Sequence, residues 1–231
     1  MRKSIWFSLT ALCFQTAVTG QVPVSQEPMH HNILDNGHVR LLDVHIPAGD
    51  TSRFHIHATP SVFLILTEAN TGAEIISEED RKDNPIRNYG NIWFEGFYIK
   101  PRIHRVYNND THEFHVMDIE LTNRNFIEID SVINQDAFNF LFEEVPVRAY
   151  RLKLLPGSSV SLEPRKADIL MILLSDSALN TFINKTPLGA TRASEKSFRK
   201  KGDYQYINSG NAIKIENDGT KENEFAFFEL K

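Results

Sequence analysis

The sequence predicts an all-β protein built from two similar lobes in tandem. Three observations carry that prediction. The apolar segments are short, rich in Val, Ile and Phe, and broken by Gly, Pro, Asn and Asp, the pattern of strands joined by turns. Helix signals are few, and residues 131–144 are the best candidate for one, placed to link the lobes. The chain also repeats itself at a spacing of 108 residues, the separation of Gly49 and Gly157.

The repeat runs through four blocks. Val39-Arg40, leading to Pro47-Ala48-Gly49, recurs as Val147-Arg148, leading to Pro156-Gly157. Val62–Leu66 faces Leu170–Leu174, and Asn109-Asp110 faces Asn217-Asp218. Glu120-Leu121 faces Glu229-Leu230 with a slip of one residue. Strand alternation is loose in Val39–Ile46 and clear in Glu113–Leu121, where Phe114, Val116 or Met117, Ile119 and Leu121 are the apolar positions. Phe225–Leu230 is its counterpart. Residues 77–91 and 186–202 read as polar loops at matching places.

Composition bounds the rest. The chain has 231 residues, 24 % charged and 41 % hydrophobic, which excludes collagen-like, coiled-coil and wholly disordered classes. A single cysteine, Cys13, excludes a disulfide framework. A net charge of −5 with no long basic run argues against nucleic acid as a partner, and Arg199-Lys200-Lys201 reads as a solvated loop. No serine-hydrolase elbow, phosphate loop or dinucleotide fingerprint occurs.

Residues 1–20 have the layout of a secretory signal peptide. Met1-Arg2-Lys3 is positive, Ile5–Val18 is mostly apolar, and Val18-Thr19-Gly20 closes with small residues. The apolar stretch is shorter than the ~20 residues of a membrane span. We therefore expect cleavage after Gly20 and a periplasmic or secreted product with no stable membrane insertion. That product lacks cysteine, which removes thiolate nucleophiles, thiolate ligands and iron–sulfur clusters from consideration.

The segment with most chemistry is Gly49-Asp50-Thr51-Ser52-Arg53-Phe54-His55-Ile56-His57. In a strand, His55 and His57 share a face, ~7 Å apart along the chain. Two such imidazoles can converge on one metal ion if a third ligand comes from another strand. His104 is the best candidate for it. At the repeat spacing, Glu163, Arg165 and Ala212 replace His55, His57 and His104. The second lobe keeps the apolar framework without the histidines, so packing does not require them. Glu163 and Arg165 are expected on one strand face, as an internal ion pair. His30-His31 read as surface or edge residues, His38 as part of a turn, His112 as a loop residue, and His115 as facing away from Phe114. Trp93, Phe94, Phe97 and Tyr98 read either as core or as the lining of an apolar pocket.

Glycine, five residues, His-x-His, followed by Pro101, His104 and Asn108, resembles the two motifs of the cupin superfamily. The resemblance implies tandem cupin jelly-roll barrels, a bicupin of double-stranded β-helices. The lobes would be 37–124 and 145–231, joined by a linker at 125–144, with the second lobe degenerate. His55-Ile56-His57 with Ser61-Val62, and His104-Arg105-Val106 with Asn108, are similar to a small cupin subgroup. The resemblance further implies a divalent metal (Fe, Mn, Zn, Ni or Cu) on His55, His57 and His104, a small-molecule ligand or substrate, and a possible homodimer. The general motif has a glutamate four or five residues after the second histidine, where this chain has Ser61 and Val62. Three neutral imidazoles leave an ion its full double charge, which favours an anionic ligand. Glu95 is the candidate for a substitute ligand or an acid/base group. The expected functions are a metal-dependent dioxygenase, isomerase or lyase, a non-catalytic binder of a sugar or organic anion, or a structural module.

Overall fold

The computed structural model describes residues 21–76, 82–83, 88–98, 100–176, 179–184 and 194–231. The signal-peptide reading at 1–20, most of the 77–91 loop and the first part of the 186–202 loop lie outside these residues. The described residues contain no α-helix and nineteen strands. In the first lobe these are β1 (Val22–Pro23), β2 (His30–Asp35), β3 (Val39–Ile46), β4 (His55–His57), β5 (Ser61–Thr67), β6 (Thr71–Ile75), β7 (Lys82–Asp83), β8 (Ile92–Glu95), β9 (Arg102–Asn108) and β10 (Phe114–Leu121). In the second they are β11 (Phe138–Glu144), β12 (Val147–Leu154), β13 (Ser159–Leu162), β14 (Asp168–Leu173), β15 (Leu179–Asn184), β16 (Ser194–Phe198), β17 (Tyr204–Ile207), β18 (Ala212–Glu216) and β19 (Asn223–Leu230).

Each lobe is a pair of sheets. The first has β1-β4-β9-β6-β7 facing β2-β3-β10-β5-β8, and the second has β13-β18-β15-β16 facing β11-β12-β19-β14-β17. The turn that leaves β3 closes on Gly49 at φ 76°, and the turn that leaves β12 on Gly157 at φ 73°, conformations that favour glycine. Asn108 Nδ2 donates to Ile46 O and His112 O, and Asn217 Nδ2 donates likewise to Leu154 O and Lys221 O. The structural partner of Asn217 is thus Asn108, one residue from the Asn109 that the 108 spacing gives.

Two expectations are corrected here. The 131–144 helix is absent, and Phe138–Glu144 is instead β11, antiparallel to β12. It is the counterpart of β2, which pairs with β3 in the same way. Asp35 binds Arg40, which binds Glu120 (both 2.8 Å). Glu143 binds Arg148 (2.9 Å), which binds Glu229 (3.1 Å), at the repeated positions. The 186–202 loop is also shorter than expected, because Ser194–Phe198 is β16, paired with β15.

The lobes meet sheet to sheet. Val39, Leu41, Val62, Leu64, Leu66, Met117, Ile119 and Leu121 form one apolar cluster with Val147, Ala149, Leu170, Ile172, Leu174, Ala226, Phe228 and Leu230. The second set is the first set moved along the repeat. Tyr204 Oη donates to Ile33 O (2.6 Å) and Tyr89 Oη to Leu174 O (2.5 Å) at the rim.

The opposite parity of the same strands faces each lobe's interior, and there the two lobes differ. The second interior is filled by Tyr150, Leu152, Met171, Phe225 and Phe227, among others. In the first lobe the matching places hold Leu42, Val44, Phe63, Val116 and Asp118. At four of these five places, all but Phe63, the first-lobe residue is smaller or polar, which leaves room for a cavity.

Phe228 is fully buried between the lobes. Phe228→Ala should lower unfolding free energy by about 3–5 kcal/mol, read by chemical denaturation. A loss below about 1 kcal/mol would show that the lobes do not lean on one another.

Candidate metal centre

Strand pairing builds the site. His55 sits directly opposite His104 between β4 and β9, and His57 sits opposite Arg102. Alternation turns His55, His57 and His104 to the interior together. Their ring centroids are 4.7–5.0 Å apart, and one nitrogen from each lies within 4.8 Å of the others. Nitrogens bonded to one ion at ~2.1 Å stand ~3.0–3.4 Å apart, so small side-chain movements would bring these three to that spacing.

The donor atoms are prepared. His55 Nδ1 lies 2.8 Å from Arg53 O. A carbonyl only accepts, so Nδ1 carries the proton and Nε2 keeps a free lone pair. His55 Nε2 and His104 Nε2 are buried and have no hydrogen-bond partner among the described residues. Burial lowers the His55 pKa to about 4. Burial, then the neighbouring imidazoles, hold His57 and His104 well below the ordinary value. All three are neutral near pH 7, the form that ligates metal.

Two groups were not picked out as site residues in the sequence. His30 was read as a surface or edge residue, yet it is buried in β2, with its ring centroid 4.7 Å from that of His55. Its Nδ1 lies 2.6 Å from Glu27 Oε2. Glu27 also accepts from Met29 N (2.7 Å) and Arg53 N (3.0 Å). Burial works against the Glu27 charge, but these bonds prevail and bring its pKa down to about 2. The segment around it is tied to the site by β1, whose Val22 pairs in parallel with His55.

Asp118 is the second group. It projects from β10 into the cavity, with Oδ2 3.5 Å from His57 Nδ1 and no hydrogen-bond partner for either oxygen among the described residues. Burial, then Glu120, pushes its pKa well above the usual carboxylate range. A repeat comparison could have singled it out, since Phe227 holds the matching place.

The cavity measures about 120 Å3 and is lined by the histidines, Asp118, Phe63, Trp93 and Arg102, among others. Trp93 stacks on Phe63 (5.1 Å), and Phe97 stacks on His57 (5.3 Å). Phe94 packs instead toward the lobe interface, and Tyr98 is exposed. Glu95 lines the cavity but faces Arg102 (3.3 Å), outside the cluster of ligand atoms. In the second lobe Arg165 pairs with buried Glu229 (2.6 Å) rather than with Glu163. The reason is local: β13 stops at Leu162, so Glu163 and Arg165 share no strand face, and Glu163 is exposed.

No known family profile matches the chain, and no curated protein matches it significantly. Solved structures do. AerE from Microcystis aeruginosa superposes with a TM-score of 0.60 at 13 % identity, over 89 % of this chain and 98 % of that one. An oxalate decarboxylase from Lactobacillus farciminis, solved as a formate complex, gives 0.60 at 10 % identity, over 87 % and 84 %. A cupin 2 conserved barrel domain protein from Leptotrichia buccalis gives 0.52 at 10 % identity, over 87 % and 88 %. The fold is that of a cupin. Within this cupin fold the three motif histidines are brought together in the first lobe, and the second lobe has none to offer.

Two measurements follow from the buried carboxylates. Glu27 titrates near 4.5 when unfolded and about 2 when folded. Its contribution, about 3 kcal/mol, is complete above pH 4.5 and lost as pH falls toward 2. Glu27→Gln should flatten the acid limb of stability in that window, and an unchanged limb would remove the role. Asp118→Leu should raise the thermal midpoint of the metal-free protein, because a buried carboxylate without partners costs about 1–3 kcal/mol. A fall in the midpoint would mean that the carboxylate is compensated.

Proposed function

We propose that the first lobe is a metal-dependent site for a small anionic molecule, and that the protein is an enzyme of lyase or oxygenase type. One observation carries this reading. Three buried imidazoles, held neutral, bring one nitrogen each within 4.8 Å of the others beside a cavity, and His55 Nε2 and His104 Nε2 have no hydrogen-bond partner among the described residues. Hydrogen-bonded structural histidines would not leave those atoms orphaned.

His55, His57 and His104 would hold the ion. A divalent metal there supplies Lewis acidity or oxygen activation for a substrate bound at its open positions. The protein's own residues shape what enters. Phe63 and Trp93 give the cavity an aromatic wall, and Phe97 stacks on His57. Arg102 also lines the cavity, its guanidinium paired with Glu95 at 3.3 Å. The volume is small beside the ~300–1,000 Å3 of sites for drug-sized ligands, so the ligand is a compact one. With no carboxylate among the three ligands, the bound ion keeps its double charge and prefers a negatively charged molecule. The oxalate decarboxylases among the fold neighbours act on such a molecule, which supports the size and charge class at the level of fold alone.

A second reading is a binder of organic anions without turnover. It is favoured by the position of Glu95, which is engaged with Arg102 rather than aimed at the histidine nitrogens. We also read residues 1–20 as an export signal, which places the working protein in the periplasm or outside the cell.

Elemental analysis of residues 21–231, beside a His55→Ala/His57→Ala variant, tests the site. The variant should lose one metal equivalent per chain, and equal metal in both proteins would overturn the proposal. Turnover of small carboxylates by the loaded protein, with and without oxygen, then separates enzyme from binder.

A further inference from the structure

A second cluster lies on the outer face of the same lobe. Asp43 and His45 alternate on β3, and His115 stands directly across from His45 on β10. This is the strand logic of the barrel site, where two residues two apart on one strand meet a third opposite one of them. His115 Nε2 is 2.6 Å from Asp43 Oδ1, and His45 Nε2 is 3.2 Å from Asp43 Oδ2. The imidazoles stack at 4.1 Å. All three ligand atoms fall within 4.8 Å, and all three residues are half-buried.

The surroundings match a metal site as well. His45 Nδ1 lies 2.8 Å from Glu113 Oε1, the outer carboxylate contact that aims a ligating imidazole. Across the cleft, Gly202 packs closely, with space for a Cβ limited by Leu66, Met117 and His115.

The second lobe supplies the decisive contrast. At the repeated positions it has Arg151, Lys153, Glu222 and Glu224 in place of Asp43, His45, Glu113 and His115. There Arg151 binds Glu224 at 3.1 Å, and Lys153 reaches Glu224 at 3.4 Å and Glu222 at 3.9 Å. That corner has two cations for two carboxylates. The first lobe has two carboxylates and two imidazoles. Lys200 and Lys201 line the far side of the cleft, and a divalent ion at the cluster itself would stand where the second lobe places Arg151 and Lys153.

We propose that Asp43, His45 and His115 form a second transition-metal site, outside the barrel at the edge of the lobe interface. The two-imidazole, one-carboxylate donor set is one that Zn2+ and Fe2+ take with positions left open, and here those positions face the cleft. Glu113 is a positioning residue that acts through His45.

The test uses Co2+ as a visible probe, in a chain already carrying His55→Ala/His57→Ala so that the barrel site is silent. Titration should give one Co2+ per chain with ligand-field absorption. Adding His45→Ala/His115→Ala should abolish that band, with far-ultraviolet circular dichroism unchanged. Asp43→Asn serves as a milder second variant and should also abolish it, while Glu113→Gln should weaken binding about tenfold. No Co2+ bound by the barrel-silenced chain, or binding indifferent to both the histidine pair and Asp43, overturns the proposal. Because the residues are disjoint from the barrel triad, this outcome is independent of the first site.

Discussion

The burial of one sheet of each lobe against its twin is the constraint on which everything else rests. Sixteen side chains, eight from each lobe at repeated positions, form that seam. It gives β10 and β19 two buried faces instead of one. One parity of each strand is fixed by the neighbouring lobe and the other by the barrel interior. A polar residue on the interior parity therefore leaves bulk solvent and must be satisfied or used. Glu120 and Glu229 are satisfied by Arg40 and Arg148. Asp118 is not.

The two interiors show how the duplicated frame diverged. Phe225 and Phe227 occupy the places of Val116 and Asp118. The second lobe therefore spends its interior volume on aromatic packing, and the first keeps a cavity. The paired networks Asp35–Arg40–Glu120 and Glu143–Arg148–Glu229 stayed the same in both. Such pairs add little net stability when buried, but losing one partner strands a charge. Their presence in both lobes marks the shared frame, and the histidines mark where the lobes differ.

The repeat and the histidine triad were legible because both rest on local pattern. Alternation alone puts His55 and His57 on one face, and the repeat alone shows that the frame survives without them. What was misread depends on neighbours across the sheet. β11 looked helical because its register shifts between Phe140 and Phe142. That bulge breaks the period of two and leaves Phe138, Leu141 and Phe142 at spacings of three and four. β2 carries the matching shift between Asn32 and Leu34. His30 gains its meaning from the ring of His55 beside it, and Asp118 from His57 across the lobe, pairs that alternation along one strand does not connect.

The seam has a further consequence. Two identical chains joined through such a face would come apart on dilution, because their association obeys mass action. Here both halves belong to one polypeptide, so the seam's integrity does not depend on concentration. Covalent linkage also frees the two faces from symmetry. In a homodimer every substitution appears twice, and a barrel filled with Phe225 and Phe227 would be filled in both copies. In this chain one half can fill its interior with aromatic rings while the other keeps a histidine-lined cavity.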